Sequence, residues 1–362
     1  MNKAACVIVG AGPAGLSAAY ELLQAGAAVT LIERSHVLGG QLSKQTHKFF
    51  GSEKQFASYR GLTIMETLIE RLKPFEERLT LHEYTQVVGL YSDKVITCVK
   101  ENIYFKIKAD TIIVATGASE KALPFENNDL PGVYAAGAVQ TLMNQYGVKP
   151  GHRVLMVGSG NIGLIVAYQL RQAGIEVAAI VEASDRISGY LVHASKCRRL
   201  GIPILTQHSI KTALGETHVT GAVVWQLDEH WQGLPGTETL YDVDTVCMAV
   251  GLAPLSELLL QAGVKSRFVN ELGGVVPWVD EHGQTSLEGV FACGDVTGIE
   301  EASAAMVEGA LVALSCLKSL GFAVDHLESK RLEYHTQLHH LRDGPHAAKL
   351  RSGYAKRGDF NV

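Results

Sequence analysis

Residues 7–34 read VIVGAGPAGLSAAYELLQAGAAVTLIER, and residues 154–182 read VLMVGSGNIGLIVAYQLRQAGIEVAAIVE. Each stretch is an apolar strand, a G-x-G-x-x-G turn, a helix ending at Gln-Ala-Gly, a second apolar strand and a terminal glutamate. In the first copy Gly10 permits the tight turn, Gly12 lets the backbone approach a pyrophosphate, and Gly15 lets helix and strand pack closely. Pro13 and Ala14 open the helix, whose N–H groups and partial positive charge suit phosphates. Glu33 lies 18 residues past Gly15, where a carboxylate can hold ribose hydroxyls, with Arg34 beside it. In the second copy Gly158, Gly160 and Gly163 take the same places, with Asn161 and Ile162 between the last two, and Glu182 lies 19 residues past Gly163. A lone glycine-rich turn is a weak sign; two, each with strand, helix and acid in place, point to two dinucleotide sites. A carboxylate at Glu182 repels a 2′-phosphate and accepts from a free 2′-OH, which favours NAD(H) over NADP at the second site. Arg186 nearby softens that preference.

The whole chain fits this reading. Its 362 residues, 47% hydrophobic and 19% charged, suit a soluble globular protein of two or three domains. A net charge of −5 offers no basic field for nucleic acid, so none is expected as a partner. The N-terminal run resembles a secretory signal only superficially, because its glycine spacing has a better explanation and Glu21 interrupts it. No segment reaches the roughly 18 uninterrupted apolar residues of a membrane span. The six cysteines form no CxxC and no zinc or iron–sulfur spacing, and a cytoplasmic, reducing setting is expected.

Between the repeats, residues 63–72 have helical periodicity, and 79–109 alternate as short strands would. DTIIVATGA (110–118) reads as a further strand ending at Ala115-Thr116-Gly117, and TVCMAVG (245–251) as one ending at Gly251. TSLEGVFACGDVTG (285–298) puts Gly294-Asp295 after another apolar strand, followed by a helix-compatible run, EEASAAMVEGALVALSCLKSL (300–320).

The order GxGxxG, ATG, GxGxxG, GD resembles the two-dinucleotide flavoprotein reductases, the superfamily of thioredoxin reductase and the pyridine-nucleotide disulfide reductases. The resemblance implies an α/β fold of two Rossmann-like domains, the NAD(P) domain inserted into the FAD domain, each with a small β-meander. The expected boundaries are 1–120 and 251–325 for the FAD domain, 121–250 for the insert, and 326–362 for a C-terminal arm forming an interface. The resemblance also implies FAD on the first unit and a nicotinamide dinucleotide on the second. Asp295 would bond the ribityl chain, and the helix opening at Glu301, Ala302 and Ser303 would face the flavin pyrimidine ring, where a helix N-terminus stabilises reduced flavin. One departure matters: the redox cysteine pairs of the disulfide reductases are absent, and a dithiol relay needs two close thiols.

GSGNIGLIVAYQLRQAG (158–174) and GYLVHASKCRRLGIPILT (189–206) resemble the flavin α-type subunits of amine and amino-acid dehydrogenase complexes of the proline, opine and sarcosine-oxidase type. This implies a homo- or hetero-oligomer with a substrate-oxidising or electron-transfer subunit. The expected activity is hydride exchange between NAD(H) and FAD, with electrons passed to or from a partner subunit or a small amine or amino-acid-type substrate. The alternatives are an electron-transfer or scaffold subunit with substrate oxidation elsewhere, and a ferredoxin/flavodoxin-NAD(P) reductase.

Two segments have no counterpart in the repeat. GGQLSKQTHKFFGSEKQFASYRG (39–61) begins six residues after Glu33 and should run along the flavin. Gly40, Gln41 and Leu42 are cofactor contacts by resemblance. Thr46, His47 and Lys48 are candidate flavin-edge residues, with Phe49 and Phe50 packing beneath. The tail carries a leucine stripe over 327–341, a stop at Asp343-Gly344-Pro345, and the aromatics Tyr354 and Phe360. It either docks on another subunit, the preferred reading, or folds over its own chain. His335 and His339 share a helical face without a third ligand, so no metal site is expected.

Overall fold

The computed structural model describes residues 2–49, 52–344 and 347–358; Phe50, Pro345 and Phe360 lie outside them. Two compact units divide the chain, one made of Met1–Ser119 with Ala253–Val362 and the other of Glu120–Leu252. The C-terminal helices fall within the first unit.

In the first unit, strand β1 (Asn2–Val9), helix α1 (Pro13–Gln24) and strand β2 (Val29–Ile32) form the first repeat. Helix α2 (Gly61–Glu70) and strands β3 (Leu79–His82), β4 (Gln86–Leu90), β5 (Val95–Lys100) and β6 (Ile103–Val114) follow. The sheet runs β3-β2-β1-β6 in parallel, and then β5 and β4 join antiparallel as the meander. β6 joins two stretches that the sequence pattern separates. Asp110 sits in an outward position between buried Ala109 and Thr111, so its charge does not interrupt the strand.

The second unit is a five-stranded parallel sheet with its own meander. It contains β7 (Val133–Ala135), β8 (Arg153–Val157), α3 (Asn161–Gln172), β9 (Glu176–Glu182), α4 (Leu191–Arg199) and β10 (Ile204–Thr206). The meander is β11 (His208–Leu214), β12 (Gly221–Gln226) and β13 (Thr239–Tyr241), and β14 (Thr245–Met248) returns to the centre. The parallel order is β10-β9-β8-β14-β7. Lys121 N–H donates to Gly251 O at 3.0 Å, so both ends of this unit leave from one point.

The chain then completes the first unit. Strand β15 (Val290–Ala292) pairs parallel with the second half of β6. Helix α5 (Ala302–Ser319) is long and apolar enough to cross a membrane by length and composition, but most of it is buried in the core. A Cβ on its Gly309 would lie 2.0 Å from Ala14 O, so α5 and α1 touch backbone to backbone. Helices α6 (Leu327–Leu341) and α7 (Ala348–Gly358) close the unit. Of the leucine stripe, Leu338 is buried against α5, while Leu332 faces solvent at 68% exposure.

Candidate functional site

The two glycine turns have the same construction. Gly10 has φ +102°, and a Cβ there would lie 2.4 Å from Ala115 O; Gly158 has φ +104°, with Ala249 O at 2.3 Å. Gly15 and Gly163 have no room either, since a Cβ would come within 1.9 and 2.2 Å of the carbonyl oxygens of Gly10 and Gly158. These four glycines are required by packing. Gly12 and Gly160 are different. Each has an ordinary negative φ, and a Cβ would meet nothing within 4 Å at Gly160 and only Gly40 Cα, at 4.0 Å, at Gly12. The space above them is kept clear, and neither helix behind them has a side-chain cap on its N-terminal N–H groups. A backbone-lined hollow at an uncapped helix start fits a pyrophosphate.

The acids close each turn from below. Glu33 accepts from Ala11 N–H and Ser35 N–H, both at 2.9 Å, one on each oxygen. Each oxygen keeps a lone pair for a ribose hydroxyl. Glu182 accepts from Ser159 N–H at 2.9 Å and Ser184 N–H at 3.1 Å, and also from the hydroxyls of Ser159 at 2.5 Å and Ser188 at 3.0 Å. Burial opposes the Glu182 charge, but these four hydrogen bonds outweigh it and hold the carboxyl below its ordinary range. Its Oε2 is crowded by three donors, and Oε1 is the oxygen with room for a hydroxyl.

The repeat reaches further than the sequence pattern reveals. Gly39 N–H donates to Ala11 O at 2.7 Å, and Gly189 N–H donates to Ser159 O at 2.9 Å. A second glycine is thus tied to each turn, six residues after Glu33 and seven after Glu182. Gly40 then lies against Gly12, with a Cβ only 2.9 Å from Gly12 Cα. Ala115 and Ala249, each two residues before Gly117 and Gly251, are matching buttresses. Ser188, Gly189 and Ala249 escape a motif search because no fixed spacing links them to the glycine turn, and Ser159 occupies a variable position inside it.

The remaining residues divide into those gathered at the first turn and those beside it. Gly294 joins it, a Cβ there lying 3.0 Å from Ala14 Cβ. Thr116 and Gly117 are fixed by the Leu255 backbone at 2.8 and 3.0 Å. Asp295 Oδ1 accepts from Glu300 N–H at 3.3 Å, while Glu301 stands at the N-terminal boundary of α5, ahead of Ala302 and Ser303, with no capping hydrogen bond from its side chain. Burial, with Glu300, Glu308 and Glu301 close by, pushes Asp295 up to about 7. Leu42 is fully buried within a short 3-10 turn, and Gln41 and Arg34 are exposed. Thr46 O accepts from the Arg60 guanidinium, His47 packs edge-on against Phe49 at 5.1 Å, and exposed Lys48 bridges to the Arg60 backbone. Beyond them, Lys54 and Gln55 bind Glu333 and Gln337 on α6 at 3.0 and 2.6 Å.

All six cysteines are buried. Burial raises the thiols of Cys98 and Cys197 to about 11. Cys6 and Cys316 are 3.5 Å apart in the core of the first unit, not at its glycine turn. Among the described residues no group of three or more His, Cys, Asp or Glu could hold a metal ion.

Two glycine turns in an α/β chain of this architecture define a two-dinucleotide oxidoreductase of the FAD/NAD(P) reductase superfamily. The chain belongs to the pyridine nucleotide-disulphide oxidoreductase family, whose profile matches residues 4–309. It is 26% identical to an opine oxidase subunit of Rhizobium meliloti over 98% of this chain and 70% of that protein. It is 28% identical to the hydrogen cyanide synthase subunit HcnB of Pseudomonas aeruginosa, covering 86% of this chain and 70% of the other. With the α subunit of sarcosine oxidase from Corynebacterium sp. (strain P-1), it shares 26% identity over 87% of this chain but 32% of the relative. L-proline dehydrogenase from P. horikoshii superposes with a TM-score of 0.69 at 25% identity, over 93% of this chain and 58% of the other. T. acidophilum thioredoxin reductase has the same fold, with a TM-score of 0.72 at 23% identity, covering 88% and 99% of the two chains. The family implies FAD and a pyridine nucleotide as cofactors, and the curated relatives are themselves named as subunits.

Proposed function

We propose that this chain is a dehydrogenase-type flavoprotein subunit. It binds FAD at Gly10–Gly15 and NAD(H) at Gly158–Gly163, and it passes electrons to or from a partner subunit that handles a small amine or amino acid. The carrying observation is the doubled glycine turn with its buried acid, in a chain whose cysteines are all buried and form no CxxC. When bound, the flavin supplies two-electron chemistry, taking up a hydride and a proton as the nicotinamide or amine is oxidised. The chain's own work is to hold each pyrophosphate against a helix start and each ribose on a carboxylate. Glu182, held charged, favours a 2′-hydroxyl over a 2′-phosphate and so NAD over NADP.

Purified protein should carry a flavin absorbance near 450 nm that NADH bleaches under anaerobic conditions. A protein with no flavin, or with thioredoxin-type disulfide reductase activity, would refute this reading. The relatives' names support a second reading, in which the flavin is reduced by a partner's substrate and NADH leaves it untouched. Reconstitution with the co-purifying partner and a panel of amines and amino acids separates the two.

A further inference from the structure

The turn Gly294–Glu300, which carries Asp295, is held from behind by side chains of the tail. Gly294 N–H donates to Glu308 Oε2 at 2.8 Å, and Thr297 Oγ–H donates to Gly294 O at 3.0 Å. Glu300 holds the far end through its N–H to Asp295 Oδ1. Both glutamates meet one cation: Arg342 Nη2 lies 2.6 Å from Glu300 Oε1 and also contacts Glu308 Oε1, while its Nε donates to Glu300 Oε2 at 3.0 Å. These side chains are largely out of water, at 19% exposure for Arg342, 6% for Glu300 and 13% for Glu308. Tyr354 of α7 donates its hydroxyl to Glu300, and the guanidiniums of Arg342 and Arg357 lie 4.3 and 4.5 Å from the centroid of its ring. Arg357 also donates to Thr297 O at 3.0 Å.

We propose that the two C-terminal helices are a clamp on the flavin's ribityl turn, with Arg342 as the positioning residue acting through Glu308 and Glu300. The proposal rests on the FAD reading of this unit. Three acids, Asp295, Glu300 and Glu308, crowd one buried turn and would repel one another without a cation among them. A buried ion pair is a poor source of stability compared with apolar packing, but it fixes geometry well. The planar fork of arginine grips Glu300 through Nε and Nη2 together while Nη2 also reaches Glu308, and an ammonium cannot reproduce that two-nitrogen grip. The tail thus belongs to the flavin site of its own chain.

The test compares R342Q, R342K and Y354F with wild type in three measurements. These are FAD affinity by flavin fluorescence, flavin reduction potential against a reference dye, and amide exchange of Gly294–Glu300 in flavin-stripped protein. R342Q should weaken FAD binding at least tenfold, shift the potential to more negative values because a cation is lost behind the ribityl turn, and speed exchange of the turn. R342K should restore most of the potential, which follows charge, but not the affinity, which follows the fork. Y354F, with every charge kept, should loosen the turn while leaving the potential unchanged, and it decides the question if R342Q does not fold. Wild-type values for affinity, potential and exchange in R342Q, or in Y354F for affinity and exchange, overturn the clamp. A wild-type chain that binds no FAD overturns the underlying reading instead, and the exchange comparison still judges the clamp.

Discussion

Gly12 and Gly15 stand three residues apart, yet different forces require them. Gly15 has a carbonyl oxygen 1.9 Å from where a Cβ would be, so alanine there breaks the fold. Gly12 has clear space and a φ of −76°, so alanine is compatible with the backbone but projects a methyl into the hollow meant for phosphate. G12A should keep the wild-type melting temperature without flavin and lose about 1–3 kcal/mol of FAD binding, roughly five- to 150-fold in Kd. G160A should do the same at the second site, measured as NADH affinity. Asp295 makes a pH-dependent contribution. Between the ordinary aspartate pKa of about 4 and its value of about 7 here, the folded chain binds more protons than the unfolded chain, so stability falls as pH rises through that window. D295N should flatten this decline, read as the difference in urea midpoint between pH 5 and pH 8 for flavin-free protein.

At the scale of elements, α6 shows how a polar helix is anchored. Its apolar stripe is imperfect, and a few specific groups hold it in place. Tyr334 donates to the buried Glu21 carboxylate of α1 at 2.7 Å, with Lys330 3.9 Å from the other oxygen. Y334F leaves a buried carboxylate short of a donor and should cost about 1–3 kcal/mol in chemical denaturation. The repeats are legible in the sequence because strand, turn, helix and acid each leave a local pattern at fixed spacing. α7 is not, because AKLRSGYAKRG carries no apolar stripe; it is held by Tyr354 and Leu350 against Leu272. β6 reads as two strands because Asp110 looks like a break until its outward orientation is known. The Arg342 cluster joins residues 300, 308, 342, 354 and 357, which no local window contains.

At the scale of the molecule, the first unit is discontinuous in sequence and the second is not. Residues 120–252 hold a complete parallel sheet, its meander and two apolar clusters. Expressed alone, this segment should fold cooperatively, with a single urea transition and dispersed amide signals. The first unit cannot form from its N-terminal part alone, because α1 packs on α5 and β6 pairs with β15. Residues 1–119 alone should stay aggregation-prone or molten, with exposed apolar surface detectable by dye binding.

The hydrogen bond from Lys121 to Gly251 bears on the order of events during synthesis. Joining β15 to β6 across an unstructured loop of this length would carry a large chain-entropy cost and slow that pairing. Once the middle segment has folded on the ribosome, the same bond brings its entrance and exit together. The late strand and helices then meet the waiting sheet across the 42 residues of 115–119 and 253–289, instead of the 175 that lie between Val114 and Val290. A substitution such as K121P, which removes that donor, should slow maturation of the flavin-binding half far more than it lowers its final stability.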